Sequence, residues 1–241
     1  MAWYNEWFGE EYLELYSHRD ESEADLHADF VQRELGPEKP RAVLDLACGA
    51  GRHTAALRRR HLRTLGVDLS LTLLVRMAEN GLPRVAGDMR CLPFRPASFD
   101  WVLNFFTSFG YFETERENFR VLEEIVRILS PGGRFLIDLL NPSFAIAHLK
   151  PRETRETARH RLEIERWYDA ASHRINKRID LISPEGTKQS FRESVRAYGA
   201  DEVVIGLRWA GLEVDRLCGD FLGSSYDRDS ERLILIGHKP R

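Results

Sequence analysis

Aspartate and glycine recur through the first half of this 241-residue chain at spacings that suit a nucleotide-type ligand. The run Val43-Leu44-Asp45-Leu46-Ala47-Cys48-Gly49-Ala50-Gly51-Arg52 reads as an apolar strand that breaks into a glycine turn and opens a helix. A backbone of that kind brings bare N–H groups close to a polar ligand at a helix N-terminus. A dinucleotide fold places G-x-G-x-x-G after its first strand. Here the pattern is Asp45-x-Ala47-x-Gly49-x-Gly51, with Arg52 and His53 where the last glycine would stand, so an NAD-linked oxidoreductase is disfavoured. Seventeen residues past Gly51, the apolar run Thr64-Leu65-Gly66-Val67-Asp68 ends in an acid. An acid at that place in a nucleotide-type sheet accepts hydrogen bonds from ribose hydroxyls. Two further strands end in polar residues, Val85-Ala86-Gly87-Asp88 and Ser98-Phe99-Asp100-Trp101-Val102-Leu103-Asn104.

These residues need a scaffold that gathers strand ends. Residues 41–140 alternate strand and helix, including a helix over 114–129 that stops at Pro131-Gly132-Gly133. Such alternation predicts a doubly wound, mostly parallel α/β sheet, and ligands bind beyond its strand C-termini where strand order reverses. Asp45 to Gly51, Asp68, Asp88 and Asn104 all fall at such ends. After Pro151 the pattern changes to period-two stretches, with turns at Ala171-Ser172-His173 and Pro184-Glu185-Gly186. This predicts a three-stranded antiparallel insertion within 150–198, expected to be a lid. A helix over 200–210 and strands 212–218 and 232–238 follow. Residues 1–35 form an N-terminal helical segment, with aromatics from Trp3 to Tyr16 at helical spacing. The whole of 1–241 is expected to be one domain.

Bulk composition narrows the partners. A formal charge of -3 provides no basic field for nucleic acid, so DNA is excluded and RNA ranks second. The basic stretch 150–161 is either a solvated face or a recruiting patch. Cys48, Cys91 and Cys218 are sparse and lack metal spacing, and no apolar run approaches the roughly 20 residues that span a membrane. A cytoplasmic enzyme, monomeric or homodimeric and without metal, is expected.

The four motifs, with Leu129-Ser130-Pro131-Gly132-Gly133-Arg134 after them, resemble those of the class I, Rossmann-like, S-adenosylmethionine-dependent methyltransferases. The resemblance covers residues 41–140. It implies a seven-stranded sheet with one antiparallel strand, and the insertion is similar to that of small-molecule types. It also implies the ligand set. Ala47, Cys48 and Gly49 would line the methionine moiety, Gly51 would permit close helix approach, and Asp45 would hold the methionine ammonium directly or through water. Asp68 would bind the ribose hydroxyls, with Leu69 against the adenine and Asp88 and Met89 at its edge and face. Asn104 and Phe105 would line the donor methyl. Tyr12, Tyr16 or Arg19 would close over the cofactor, unless that segment only packs on the core.

Fourth-strand residues Asn104-Phe105-Phe106-Thr107 lack the Asn-Pro-Pro-aromatic motif by which enzymes of exocyclic or amide nitrogens resemble one another. The aromatic stretch through Tyr111 is a pocket wall or plain core. Arg196, Tyr198, Asp220, Tyr226 and Arg232 are substrate-side candidates, because an arginine clamps a carboxylate and a tyrosine orients an amine. Arg196 reads equally as an exposed strand residue and Asp220 as a turn. No catalytic dyad is evident, and methyl transfer from an activated donor needs a base only if the nucleophile holds its proton. The leading reading is methyl transfer from S-adenosylmethionine to nitrogen or oxygen of a small metabolite. A tRNA or rRNA methyltransferase and a non-catalytic binder of S-adenosylmethionine or S-adenosylhomocysteine are the alternatives.

Overall fold

A computed structural model describes residues 2–16, 21–35, 40–157 and 159–241. The N-terminal segment forms α1 (Trp3–Trp7), α2 (Glu10–Leu15) and α3 (Glu21–Glu34). The expected single helix over 3–16 is therefore two, broken at Phe8 and Gly9. There follow β1 (Val43–Leu46), α4 (Arg52–Arg59), β2 (Thr64–Asp68), α5 (Leu71–Glu79), β3 (Arg84–Ala86) and β4 (Phe99–Asn104). Next come α6 (Glu115–Ile128), β5 (Leu129–Leu140) and α7 (Pro142–Ala147). Helix α6 starts at a capping box in which Thr114 and Glu117 satisfy each other's backbone N–H groups.

The main sheet has the order β10-β11-β5-β4-β1-β2-β3, with β10 (Glu213–Cys218) and β11 (Arg232–His238) closing one edge. Pairings among β1 to β5 are parallel, and β11 runs antiparallel to both β5 and β10. The chain winds outward from β1 in one direction and from β4 in the other, so strand order reverses between these two. Strand β1 is buried at all four positions, as a central strand covered on both faces must be. One core, including Leu122, Ile125, Phe135 and Leu207, joins the sheet to α6 and α8 (Ala200–Ala210). A second, including Phe30, Val31, Leu57 and Leu103, joins it to α3 and α4.

The insertion is a separate antiparallel sheet, β6-β7-β8-β9, comprising Arg152–Glu156, Arg161–Asp169, Arg174–Ile182 and Lys188–Arg196. It has four strands where three were expected. The extra strand, β6, carries no large apolar residue. It pairs with β7 in register and adds Arg152–Glu165 and Arg166–Glu153 ion pairs across the strands. The basic stretch 150–161 is thus interleaved with acids, Arg155 pairing with Glu153 and Arg161 with Glu163. Register places Ile164, Ile179 and Phe191 side by side on one face. That face packs its apolar end, with Leu162 and Leu181, against Trp7 and Leu15. Among the described residues, no helix is long and apolar enough to cross a membrane.

Candidate active site

A cavity of about 1100 Å³ lies over the C-terminal ends of the parallel strands. Its floor is made by the loops after β1, β2, β3 and β4, and its roof by α1, α2 and the inner face of the inserted sheet. Small-molecule pockets commonly measure roughly 300–1,000 Å³, so there is room here for two ligands side by side.

The floor begins with the glycine turn. Ala47, Gly49 and Gly51 all have positive φ, at 59°, 56° and 85°. A Cβ on Gly51 would stand 2.7 Å from Met77 Cγ, so helix α4 can approach α5 only with glycine there. Gly51→Ala is expected to destabilise the protein by about 2–4 kcal/mol, combining left-handed strain with overpacking. An unchanged thermal midpoint would contradict this. Across the turn, Asp68 Oδ2 accepts the Gly49 N–H at 2.7 Å and Oδ1 accepts the Ser70 N–H at 2.8 Å. Burial raises the Asp68 carboxyl above the usual range, against the lowering effect of these bonds. Each oxygen keeps lone-pair capacity toward the cavity, which is what a pair of ribose hydroxyls requires.

Leu69, Gly87, Asp88 and Met89 continue the wall. Leu69 is 43% exposed, a large apolar side chain on an open surface. Asp88 is gripped by Arg90, whose Nη2 donates to Oδ2 at 2.6 Å and whose guanidinium lies 4.3 Å from the Phe112 ring centroid. Burial pushes the Asp88 carboxyl up, but the Arg90 bonds outweigh it and hold the group low. Phe105, Phe106, Thr107, Ser108 and Tyr111 complete the floor. Phe106 and Thr107 both have positive φ, 65° and 58°, a strained pair for non-glycine residues.

The roof follows from strand period and register. Arg166, Lys177 and Glu193 are cross-strand neighbours on the same face as the apolar end described above, and they line the cavity with Ile175 and Val195. Glu193 Oε1 accepts Trp7 Nε1–H at 2.6 Å and the Tyr16 hydroxyl at 2.8 Å. Lys177 Nζ donates to the Tyr16 hydroxyl at 2.5 Å and lies 3.5 Å from Glu193 Oε2. Tyr4, Phe8 and Tyr12 supply aromatic surface beside them.

The structure brings Ala47, Cys48, Gly49, Gly51, Asp68, Leu69, Asp88, Met89, Phe105, Tyr12, Tyr16, Tyr111 and Arg232 to one cavity. It does not bring six other expected residues there. Asp45 is 1% exposed and accepts the Thr54 hydroxyl at 2.6 Å beneath the turn, so it does not line the cavity. Asn104 is also interior. Its amide donates to the Leu46 carbonyl at 2.9 Å, and its Oδ1 is buried with no partner among the described residues. Arg196 turns outward to Glu115 and Glu202, the Tyr198 hydroxyl also goes to Glu115, and the Tyr226 hydroxyl goes to Asn141. Asp220 is a turn residue that accepts the N–H groups of Leu222, Gly223 and Ser224. Arg19 lies outside the described residues.

Asp45 carries a consequence for stability. Burial pushes its carboxyl from 3.8 to about 7. A folded-state pKa above the unfolded one gives stability that is full below pH about 4 and is lost as pH rises through about 7. At ~1.4 kcal/mol per unit, the loss is on the order of a few kcal/mol. Asp45→Asn should therefore flatten the pH dependence of unfolding free energy across this window, measured by denaturant titration. An identical slope in the variant would contradict this.

Other residues at the site carried no motif. Asp138, fully buried on β5, accepts the Phe106 N–H at 2.7 Å and pairs with Arg232 at 2.7 Å. His27 and His53 share a 2.9 Å hydrogen bond under the cavity, stacked against Phe221 and Phe105 respectively, and burial pushes His27 down to about 4. Arg174 on β8 donates to the carbonyls of Gly110, Tyr111 and Phe112 and pins the floor loop to the roof. Among the described residues no cluster of three or more His, Cys, Asp or Glu is placed to hold a metal.

A reversing parallel sheet with a glycine turn, an acid after β2 and a covered cavity at the strand ends defines a Rossmann-like ligand-binding enzyme fold. A "Methyltransferase domain" family model matches residues 43–133. The chain is 30% identical over 207 residues to a cypemycin N-terminal methyltransferase of Streptomyces sp, covering 83% of this chain and 84% of that protein. Among solved structures, the CcbJ methyltransferase of Streptomyces caelestis superposes with a TM-score of 0.81 at 19% identity, covering 98% of each chain. An S-adenosylmethionine-dependent methyltransferase of Clostridium acetobutylicum ATCC 824 superposes with a TM-score of 0.80 at 17% identity, covering 95% of this chain and 96% of that one. The chain belongs to the class I S-adenosylmethionine-dependent methyltransferases. It is a methyltransferase enzyme whose cofactor is S-adenosylmethionine.

Proposed function

We propose that the protein methylates an amine nitrogen of a small molecule, bound under the inserted sheet beside the cofactor. The observation that carries this reading is the shared cavity: one wall is the glycine turn and Asp68, and the opposite wall is an aromatic surface holding Glu193. Trp7 and Tyr16 fix one Glu193 oxygen, and the other, 3.5 Å from Lys177 Nζ, has a remaining lone pair to accept an incoming amine N–H. Aromatic faces from Phe8, Tyr12 and Tyr111 favour the same guest. A relative with 84% of its length covered is itself named as an N-terminal methyltransferase.

In this reading the residues present fit the cofactor. The Gly49 turn admits its amino-acid part, Asp68 its ribose, and Leu69, Asp88 and Met89 its adenine. The cofactor supplies a methyl group already activated on a sulfonium. The chain's own task is alignment and water exclusion, which in favourable cases supply roughly 7–11 kcal/mol of barrier lowering. Residues 150–198 serve as the lid, and Arg174 ties that lid to the floor loop. The enzyme acts as a monomer or a homodimer in this reading, and the free cysteines suit the reducing cytoplasm.

Labelled methyl transfer from S-adenosylmethionine into a low-mass metabolite extract tests the acceptor atom. Label incorporation should be lost when the extract's amines are first acylated. Incorporation that survives acylation would exclude primary and secondary amines as the acceptor and, if the product is not a quaternary ammonium, overturn the amine reading. Because Arg152, Arg155, Arg161 and Arg166 are paired with acids, tRNA should bind no tighter than micromolar at physiological salt. Submicromolar binding in a salt titration would restore the RNA reading.

A further inference from the structure

We propose that Arg232 is the carboxylate-recognising group of the cavity, and that the methyl acceptor therefore carries a carboxylate beside its amine. The inference rests on the amine reading above for the identity of the guest. It rests on the geometry of Arg232 for the carboxylate.

Arg232 opens β11 opposite Leu140, at the C-terminal end of β5, and it lines the cavity. Only part of its guanidinium is used. Nε donates to Asp138 Oδ1 at 2.8 Å, and Nη2 lies 2.7 Å from the same oxygen and donates to Thr107 Oγ1 at 3.1 Å. Nη1 makes no hydrogen bond or ion pair with a described residue and is not among the buried unpartnered atoms, so this cavity-lining side chain keeps two solvent-reachable N–H donors. A guanidinium has five donors, and with Nε and Nη2 already engaged the two N–H groups of Nη1 remain to donate to an oxyanion.

The guanidinium is also held still. Asp138 is 0% exposed, and its other oxygen is fixed by the Phe106 N–H. The guanidinium lies 5.6 Å from the Phe106 ring centroid. Anchoring of this kind removes most of the rotamer freedom that an arginine would otherwise lose on binding. The position along the sheet favours the acceptor as the source of the carboxylate. Asp68 and Asp88 follow β2 and β3, on one side of the reversal point, whereas Arg232 sits above β5 on the other. A molecule spread over β1 to β3 leaves this end for its partner. The chemistry is the same if the carboxylate is that of the cofactor's amino-acid tail, and the experiment separates the two.

The test compares wild type with the double variant Arg232→Gln, Asp138→Asn. The double change avoids leaving a buried acid unpaired. A cooperative thermal transition establishes that it is folded. Calorimetry with S-adenosylhomocysteine and with 5′-methylthioadenosine, which lacks the amino-acid tail, reads the cofactor side. Phenylalanine, phenethylamine and 3-phenylpropionate, added to the S-adenosylhomocysteine complex, read the acceptor side without turnover. The expected result is an unchanged S-adenosylhomocysteine affinity in the variant, with at least a tenfold loss for phenylalanine and none for phenethylamine. A tenfold loss for S-adenosylhomocysteine with 5′-methylthioadenosine unchanged would keep the carboxylate site and assign its guest to the cofactor. Wild-type binding that shows no carboxylate dependence, with S-adenosylhomocysteine affinity equal in both proteins, would overturn the proposal. The amine reading fails separately, if 3-phenylpropionate binds as tightly as phenylalanine.

Discussion

Asp68→Ala is expected to weaken S-adenosylhomocysteine binding about ten- to a hundredfold, the equivalent of roughly 1.5–3 kcal/mol for hydrogen bonds to a charged group. Two effects add. The ribose hydroxyls lose their acceptor, and the Gly49 N–H loses the bond that fixes the turn. Asp68→Asn separates them, since an amide oxygen can still accept one of these bonds while the charge is gone. The pH profile should carry the same signature. Burial raises the Asp68 carboxyl, so it protonates at a higher pH than an ordinary aspartate, and affinity should fall as pH drops through that raised value. Equal affinity of Asp68→Ala and wild type by calorimetry would remove this residue from the cofactor site.

The larger effect is expected from the lid. Replacing residues 152–194 by a short Gly-Ser linker should abolish methyl transfer while leaving measurable S-adenosylhomocysteine binding. The floor, with Gly49, Asp68 and Asp88, belongs to the main sheet and keeps its own core. The roof does not survive, because Trp7 and Leu15 lose Leu162, Ile164, Ile179 and Leu181, the residues against which they are buried. Removing Glu193 also strips Trp7 Nε1 and the Tyr16 hydroxyl of a common acceptor. Alignment and water exclusion go with the roof, so a drop of at least about a thousandfold is anticipated in the transfer rate. Retained activity in such a variant would show that transfer needs no lid.

The main sheet was readable because its information is local. β1, β2 and β3 each end in a glycine or an acid within a few residues and β4 ends in Asn104, and the α6 boundary is marked by Thr114 at one end and Pro131-Gly132-Gly133 at the other. Direction of side chains was less readable. Asp45 lies in a strand buried on both faces, so alternation does not say where it points, and the Thr54 hydroxyl on α4 decides. Arg196 and Tyr198 read as substrate-side candidates from residue type alone. Glu115 on α6 and Glu202 on α8 draw them outward instead. Strand β6 has no hydrophobic period and is held by backbone pairing and cross-strand charge. Lys177 and Glu193 become neighbours only once the register of β8 on β9 is known, and Asp138 meets Arg232 only across β5 and β11.

The central claim is that this S-adenosylmethionine-dependent enzyme delivers its methyl group to a small amine inside the covered cavity. The most direct measurement incubates the purified protein and labelled S-adenosylmethionine with a whole-cell extract, then separates low-mass metabolites, RNA and protein before counting. The account predicts label in the low-mass fraction, on a product whose mass has risen by one methylene and whose amine has become more substituted. Label confined to RNA or to protein, with none in the low-mass fraction, would contradict it.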